Sequence, residues 1–259
     1  MKILVVLRMV PDPGGELQIA EEGDRIDREW VDLRLNDFDD HALEEAILLK
    51  EATNATVIAL APAGDGIDRM LQTATARGAD QVIKLDHKMG SEVSSRALAA
   101  HVATAARTLG VDLVLTGVQT SEDVFGQLAP YVGGLLGWPH VSSVGGARLD
   151  GDAIEVTQEQ GSGISARLSI SLPAVLGVQA ASQAPRYVSG SKLRQAAGTS
   201  ATLIPAAASD SLANGSTVVA LQNPARTGSA KILTGDVQDI AESLYGILAE
   251  RGLVKERVS

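Results

Sequence analysis

Short apolar runs alternate along this chain with longer segments whose apolar residues recur at helical spacing. "KILVVL" (2 to 7) is an unbroken apolar run with β-branched residues, the pattern of a strand covered on both faces. "NDFDDHALEEAILLKEA" (36 to 52) begins with Asn and Asp and keeps Ala42, Leu43, Ala46, Ile47 and Leu49 on one side, which predicts an amphipathic helix. Between them, "RMVPDPGGELQIAEEGDRIDRE" carries two prolines and a Gly pair and predicts a loop with an irregular hairpin. The pattern then predicts strand at 55 to 61, helix at 68 to 79, strand at 81 to 85, helix at 91 to 110 and strand at 111 to 117. A small-residue helix follows and stops at Gly137. Strands that alternate with helices in units of this length predict an α/β fold: a mostly parallel, doubly wound sheet with helices on both faces.

After Pro139 the rhythm changes. "VSSVGGARLDGDAIEVTQEQGSGISARLSISLPAVLGV" sets β-branched runs around Asp-Gly and Gly-rich turns, which predicts antiparallel hairpins at one edge of the sheet. Beyond Gln183 the chain is rich in Ala, Ser, Gly and Thr up to Lys231, with little to bury by itself, and a last amphipathic helix is expected at 237 to 253. The expected organisation is an α/β domain over 1–183, then a C-terminal arm and helix over 184–259 that dock on a partner.

Composition narrows the class. Aromatic residues are only 3% of the chain, so the core must be built from Val, Leu, Ile and Ala, which suits sheet and helix layers. A formal net charge of -10 argues against a nucleic-acid-binding role, because neutralising phosphates requires a surplus of Lys and Arg. The absence of cysteine excludes disulfides, thiolate metal sites and a cysteine nucleophile. The first strand begins at the initiator Met and no apolar run reaches membrane-spanning length, so the expectation is a cytoplasmic protein with no membrane span.

The candidate chemistry lies in four places. Residues 117 to 130 form a strand-to-helix connection, where open α/β sheets hold phosphates on backbone N–H groups. Taken alone, this stretch reads as an ordinary connection, because it has neither a Walker pattern nor Gly-x-Gly-x-x-Gly, and Glu122 and Asp123 are poor neighbours for a phosphate. Asn36, Asp37, Asp39, Asp40 and His41 crowd a helix start; capping is the leading reading there and a metal site the lesser one. "GSGIS" (161 to 165) reads as a turn, not as a nucleophile elbow, and no acid, base or nucleophile stands out. "APRYVSGSKLRQA" (184 to 196) reads either as a solvated basic segment or as an arm that recognises a redox partner.

In their order these pieces resemble the β subunit of electron transfer flavoproteins, over about the first 190 residues. The resemblance is carried by "ILVVLRMVPDP", "NDFDDHALEEAILLKEA", "TATARGADQVIKL", "DLVLTGVQTSED", "GQLAPYVGGLLGWP", "LPAVLGV" and "APRYVSG". It implies a Rossmann-like, adenine-nucleotide-binding fold and an electron carrier, not an enzyme. It implies a heterodimer with an α subunit and an FAD shared with that subunit, with AMP or a second FAD held in this chain. Electrons would pass from a flavin-dependent dehydrogenase to a quinone oxidoreductase acceptor. Carried over by position, nucleotide contacts fall at Val6, Leu7, Arg8, Asn36, Asp37, Phe38, Asp39, Pro62 and Ala63. The phosphate stretch contributes Gly117, Gln119, Asp123, Val124, Phe125, Gly126, Gln127, Leu128, Ala129 and Pro130. Partner recognition falls at Arg186, Tyr187, Gly190, Lys192, Leu193 and Arg194.

The chain departs from the AMP-type pattern. Leu128 stands where that type has a threonine hydroxyl, and a leucine side chain cannot donate to phosphate. "QLAP" is nearer the Gln-Val-Gly-Pro of the electron-bifurcating type, which holds a second FAD. Asp37 replaces the family's proline, and Gly190 stands where the apolar anchor of the recognition arm is expected, with Leu193 a displaced substitute. Two alternatives therefore stand beside the main reading: a stand-alone adenine-nucleotide-binding protein, and a subunit that has lost its nucleotide.

Overall fold

The computed structural model describes residues 1–15, 17–27, 31–88, 94–205, 218–223, 230 and 232–254. Strand β1 (Lys2–Val6) leads through a small antiparallel pair, β2 (Met9–Pro11) and β3 (Leu33–Leu35), into helix α1 (Asp37–Thr53). Strand β4 (Thr56–Ala63), α2 (Ile67–Arg77), β5 (Gln81–Lys88), α3 (Ser95–Leu109), β6 (Leu113–Gly117) and α4 (Leu128–Leu136) continue the alternation. Strands β7 (His140–Asp150), β8 (Ala153–Glu159), β9 (Ser165–Ser171) and β10 (Ala174–Val178) follow. The chain then forms α5 (Gly190–Ala196), β11 (Thr202–Pro205) and α6 (Val237–Glu250).

Nine strands make one sheet in the order β11-β5-β4-β1-β6-β10-β7-β8-β9. Pairing is parallel from β11 across to β7, and β8 and β9 add the antiparallel edge expected from the Asp-Gly and Gly-rich turns. The continuous apolar runs of β1, β6 and β10 are the central strands because helices cover both of their faces. Ile3 and Val5 face α1 and α2 through Leu43, Ile47, Met70 and Leu71, whereas Leu4 and Val6 face α3 and α4 through Val102, Ala106, Leu128 and Val132. The doubly wound α/β fold read from the periodicity is the fold of the molecule.

Strand order fixes where a ligand crevice opens. From β1 the chain steps outward to β4 and β5, then returns through α3 to β6 on the other side of β1. The carboxyl ends of β1 and β6 therefore flank the topological switch point, where sheets of this class bind ligands.

Two elements fall outside the sequence expectation. α5 lies beside α2, with Gln72 Nε2 donating to the Ala197 carbonyl at 3.2 Å, and β11 extends the sheet by pairing in parallel with β5. Both are short and largely exposed, so neither leaves a periodic apolar signature. The chain divides into two compact units, Met1–Leu221 and Gln222–Ser259. The second unit contains α6, whose start is capped by Asp236 accepting from the Gln238 and Asp239 N–H groups at 2.9 Å each. Among the described residues no helix is long and apolar enough to cross a membrane.

Candidate functional site

The ends of β1 and β6 are tied to the start of α1 through one carboxylate. Asp39, in the first turn of α1, is fully buried and accepts four hydrogen bonds. They come from the Arg8 backbone N–H at 2.9 Å, Arg8 Nε at 2.9 Å, Arg8 Nη2 at 2.7 Å and the Gly117 N–H at 2.8 Å. Arg8 Nη2 also donates to the Gly117 carbonyl at 3.2 Å. A planar guanidinium facing a carboxylate with two N–H groups is the strong, directional form of the ion pair. Asp39 is thus a clamp that closes the switch point, neither a helix cap nor a metal ligand.

Gly117 is required at this junction by space alone. A Cβ there would lie 2.3 Å from Asp39 Oδ1 and 2.7 Å from the Asp39 nitrogen. Asn36 sits at the cap position of α1 but makes no side-chain cap; its Nδ2 donates to the Gln119 carbonyl at 2.9 Å, joining the helix start to the next loop. Asp37 is exposed to solvent and pairs with Arg34.

The loop from Val118 to Gln127 is organised by its own polar groups. Thr120 Oγ1 accepts from the Glu122 N–H at 3.2 Å and the Asp123 N–H at 2.9 Å. Asp123 accepts from the Gln127 N–H at 3.1 Å and 3.2 Å, placing a carboxylate at the N-terminus of α4, and Arg8 Nη1 stands 3.9 Å from it. Gly126 takes φ +62° where a Cβ would meet the Val118 carbonyl at 2.5 Å, so the turn before α4 needs glycine. Leu128 and Ala129 turn their side chains into the core, while their N–H groups, the first in the helix, have no intrahelical acceptor.

Those backbone donors, the positive end of α4 and Arg8 Nη1 fit a phosphate group. The Asp123 carboxylate shares the same helix end and sets a limit on the negative charge that fits beside it. Val6 and Leu7 are buried in the core and can offer only backbone. Phe38 is half-buried next to the clamp, and Pro62 and Ala63 end β4, the strand beside β1. Val124 and Phe125 are exposed by 69% and 89% at the tip of the loop. Among the described residues no group of three His, Asp or Glu side chains gathers as a metal site.

The basic segment lies apart from the crevice, on the other part of α1. Arg186 Nε donates to Glu44 at 2.8 Å and 3.1 Å, its backbone N–H donates to Glu44 at 3.0 Å, and its two Nη groups reach Glu51 at 2.6 Å and 3.1 Å. The hydrogen bond from Arg186 holds the Glu51 carboxyl below its ordinary range, and Glu51 in turn raises the Arg186 guanidinium. Tyr187 is 93% exposed, and Gly190, Lys192, Leu193 and Arg194 present an exposed face of α5.

Sequence reasoning missed the acids that hold this segment. Glu45 is fully buried and accepts from the Ala147 N–H at 2.6 Å, the Ser182 N–H at 2.6 Å and Ser182 Oγ at 3.0 Å. The available signal was the pair Glu44-Glu45, set between Ala42, Leu43, Ala46 and Ile47 where a solvated helix face would not run. Thr120 was also missed, because nothing local marks a hydroxyl that orders a loop.

Comparison with known proteins identifies the family. A family model described as the electron transfer flavoprotein domain matches residues 25–210. The chain is 31% identical over 206 residues to an electron transfer flavoprotein subunit beta of Methylophilus methylotrophus, covering 76% of each chain. It is 31% identical over 192 residues to a mitochondrial electron transfer flavoprotein subunit beta of Oryza sativa subsp. indica, covering 72% of this chain and 75% of the relative. With a Mycobacterium bovis electron transfer flavoprotein subunit beta the identity is 29% over 246 residues, covering 89% and 91%. With a matched domain that includes Asp39 of α1, the carboxyl end of β6 and the loop before α4, this chain belongs to the β-subunit family of electron transfer flavoproteins.

Proposed function

We propose that the chain is the β subunit of a heterodimeric electron transfer flavoprotein in the cytoplasm. It completes the FAD site of an α subunit, holds AMP or a second FAD at its own switch point, and carries electrons from a flavin-dependent dehydrogenase toward a quinone oxidoreductase. The carrying observation is the Asp39 clamp. It draws the ends of β1 and β6 and the start of α1 together beside the free N–H groups that open α4.

In this reading Leu128 N–H, Ala129 N–H and Arg8 Nη1 hold the phosphate, and the ends of β1 and β4 line the nucleoside. The bound flavin supplies the redox chemistry, and the protein's task is to position it and exclude water. The exposed face around Tyr187, Lys192, Leu193 and Arg194 meets the donor. The second unit, with α6, docks on the α subunit.

Asp123 at the α4 N-terminus and the inward-turned Leu128 favour one second reading, a β subunit that keeps the partner surface without a nucleotide. Mass spectrometry of small molecules released from the denatured, coexpressed αβ complex separates these readings. AMP or a second equivalent of FAD is the expected result, and a complex that releases one FAD and nothing else decides for the empty site. A coexpressed pair without flavin absorbance overturns the assignment as a whole.

A further inference from the structure

Between β10 and α5 the chain crosses α1 on side-chain acceptors. The Gln179 and Ala180 N–H groups still bond the Val144 carbonyl of β7, at 2.8 Å and 3.2 Å. The next backbone donors turn to α1. The Ala181 N–H donates to His41 Nδ1 at 3.2 Å, the Ser182 N–H to Glu45 at 2.6 Å and the Arg186 N–H to Glu44 at 3.0 Å. An ionised carboxylate only accepts, whereas an imidazole nitrogen accepts only while it carries no proton. His41 is therefore the member of this row whose bond depends on the charge of a ring.

The geometry fixes the state of that ring. A backbone N–H can only donate, so the Nδ1 that faces it is unprotonated and Nε2 carries the proton of the neutral ring. His41 is partly exposed, and solvent can deliver a second proton. With Nδ1 protonated, two N–H groups face each other across 3.2 Å and the Ala181 N–H loses its acceptor. The imidazolium also stands one turn before Glu45, at the i,i+4 spacing, and competes with Ser182 for its oxygens. The other charged groups around the ring are engaged. On α1, Asp37 pairs with Arg34, Asp39 with Arg8, Asp40 with Arg77 of α2, and Glu44 with Arg186 of the crossing segment. Strand β7 presents backbone here, the Val144 carbonyl and the Ala147 N–H.

We infer that His41 is a proton-sensitive fastening for the segment that leads to Tyr187 and α5: the neutral ring holds Ala181 on α1, and protonation at Nδ1 releases it. The held form takes no proton at Nδ1 and the released form takes one, so lowering the pH favours release. Release is confined to residues 181 to 183, because Glu44 and Glu51 keep Arg186 in place until their own carboxylates are protonated. His41 acts through the Ala181 N–H and is a positioning residue for the segment, independent of any nucleotide at the switch point.

Hydrogen exchange at the Ala181 amide tests this, followed by NMR on the full-length chain and corrected for the intrinsic rate at each pH, between about pH 8 and about pH 5, where imidazoles titrate. Wild type is expected to lose about fivefold in protection across that span, the worth of one net hydrogen bond. H41N keeps an acceptor oxygen that takes no proton and is expected to hold the high-pH protection throughout. H41F removes the acceptor and is expected to show the low-pH protection throughout. A nitroxide on Q183C, an exposed position in a chain without cysteine, gives a second reading that needs no amide. Its mobility is expected to rise on acidification with His41 in place and to stay level in H41N. Protection that does not change with pH in wild type overturns the inference. A fall of equal size in H41N overturns it too, by assigning the change to the carboxylates, and this pair decides the matter even where H41F does not fold.

Discussion

Asp39 is a short acid in a crowded helix start, and its surroundings give it a role that residue type alone does not reveal. Its two oxygens accept four hydrogen bonds from Arg8 and Gly117 while the side chain is fully out of water. Removing one member of a buried, hydrogen-bonded ion pair leaves the other charge unpaired, at a cost of about 3–5 kcal/mol. D39A is therefore expected to lower the unfolding free energy measured in urea by that order without changing the slope, and a midpoint that barely moves would show that Arg8 finds water instead. Gly117 gives an independent check on the same junction. G117A places a methyl group 2.3 Å from Asp39 Oδ1, and overpacking of this kind costs about 1–3 kcal/mol. Since both substitutions strain one contact, the double mutant is expected to fall short of the sum of the two singles. Additive losses would mean that the two residues do not act through the same clamp.

At the level of elements, α1 is the organiser: its first turn closes the crevice and its middle turns hold the chain after β10 through Glu44, Glu45 and Glu51. The Glu51 carboxyl titrates below its ordinary range because Arg186 hydrogen-bonds its charged form, with smaller contributions from the neighbouring positive charges. A carboxyl lowered in the folded state contributes stability above its unfolded pKa, and that contribution is lost as pH falls through the folded value. Amide protection at 184 to 187, corrected for the intrinsic exchange rate at each pH, is thus expected to hold near neutral pH and to fall below the ordinary carboxylate range. E51Q is expected to remove part of that pH dependence, and an unchanged profile in E51Q would show that the Glu51 latch does not carry it. This latch was not legible in the sequence, because the partners are separated by 135 and 142 positions and no local pattern joins them. The strands and helices of 2 to 117 were legible because each carries its own period or apolar run. The strand order then brings the carboxyl ends of β1 and β6 to the switch point, where the sequence expectation sets the site. What escaped was the division of labour within it. "NDFDD" looks like a set of caps, yet Asn36 bonds a distant carbonyl, Asp37 faces solvent and Asp39 holds an arginine.

For the whole molecule, the decisive contrast is between residues 184–221 and those beyond. α5 rests against α2, β11 covers the outer edge of β5, and the Leu221 N–H donates to the Gly23 carbonyl at 2.7 Å, so this stretch belongs to the first compact unit. An uncovered parallel edge strand offers a row of unpaired backbone groups and invites pairing with another chain. A chain ending at Gln183 lacks α5, β11 and the Arg186 bonds to α1, and it is expected to melt at least about 5 °C lower than the full-length protein and to aggregate on heating. A chain ending at Leu221 keeps all three and is expected to melt within about 2 °C of the full-length protein when both are measured without a partner. The same shortened chain is expected to lose affinity for the α subunit, because it lacks α6, on which no residue is buried within its own unit. Calorimetry on the two truncations, followed by copurification with the α subunit, separates the two roles. Equal melting losses in both would make the second unit part of the fold. Full α-subunit binding by the chain ending at Leu221 would move the docking surface onto the first unit.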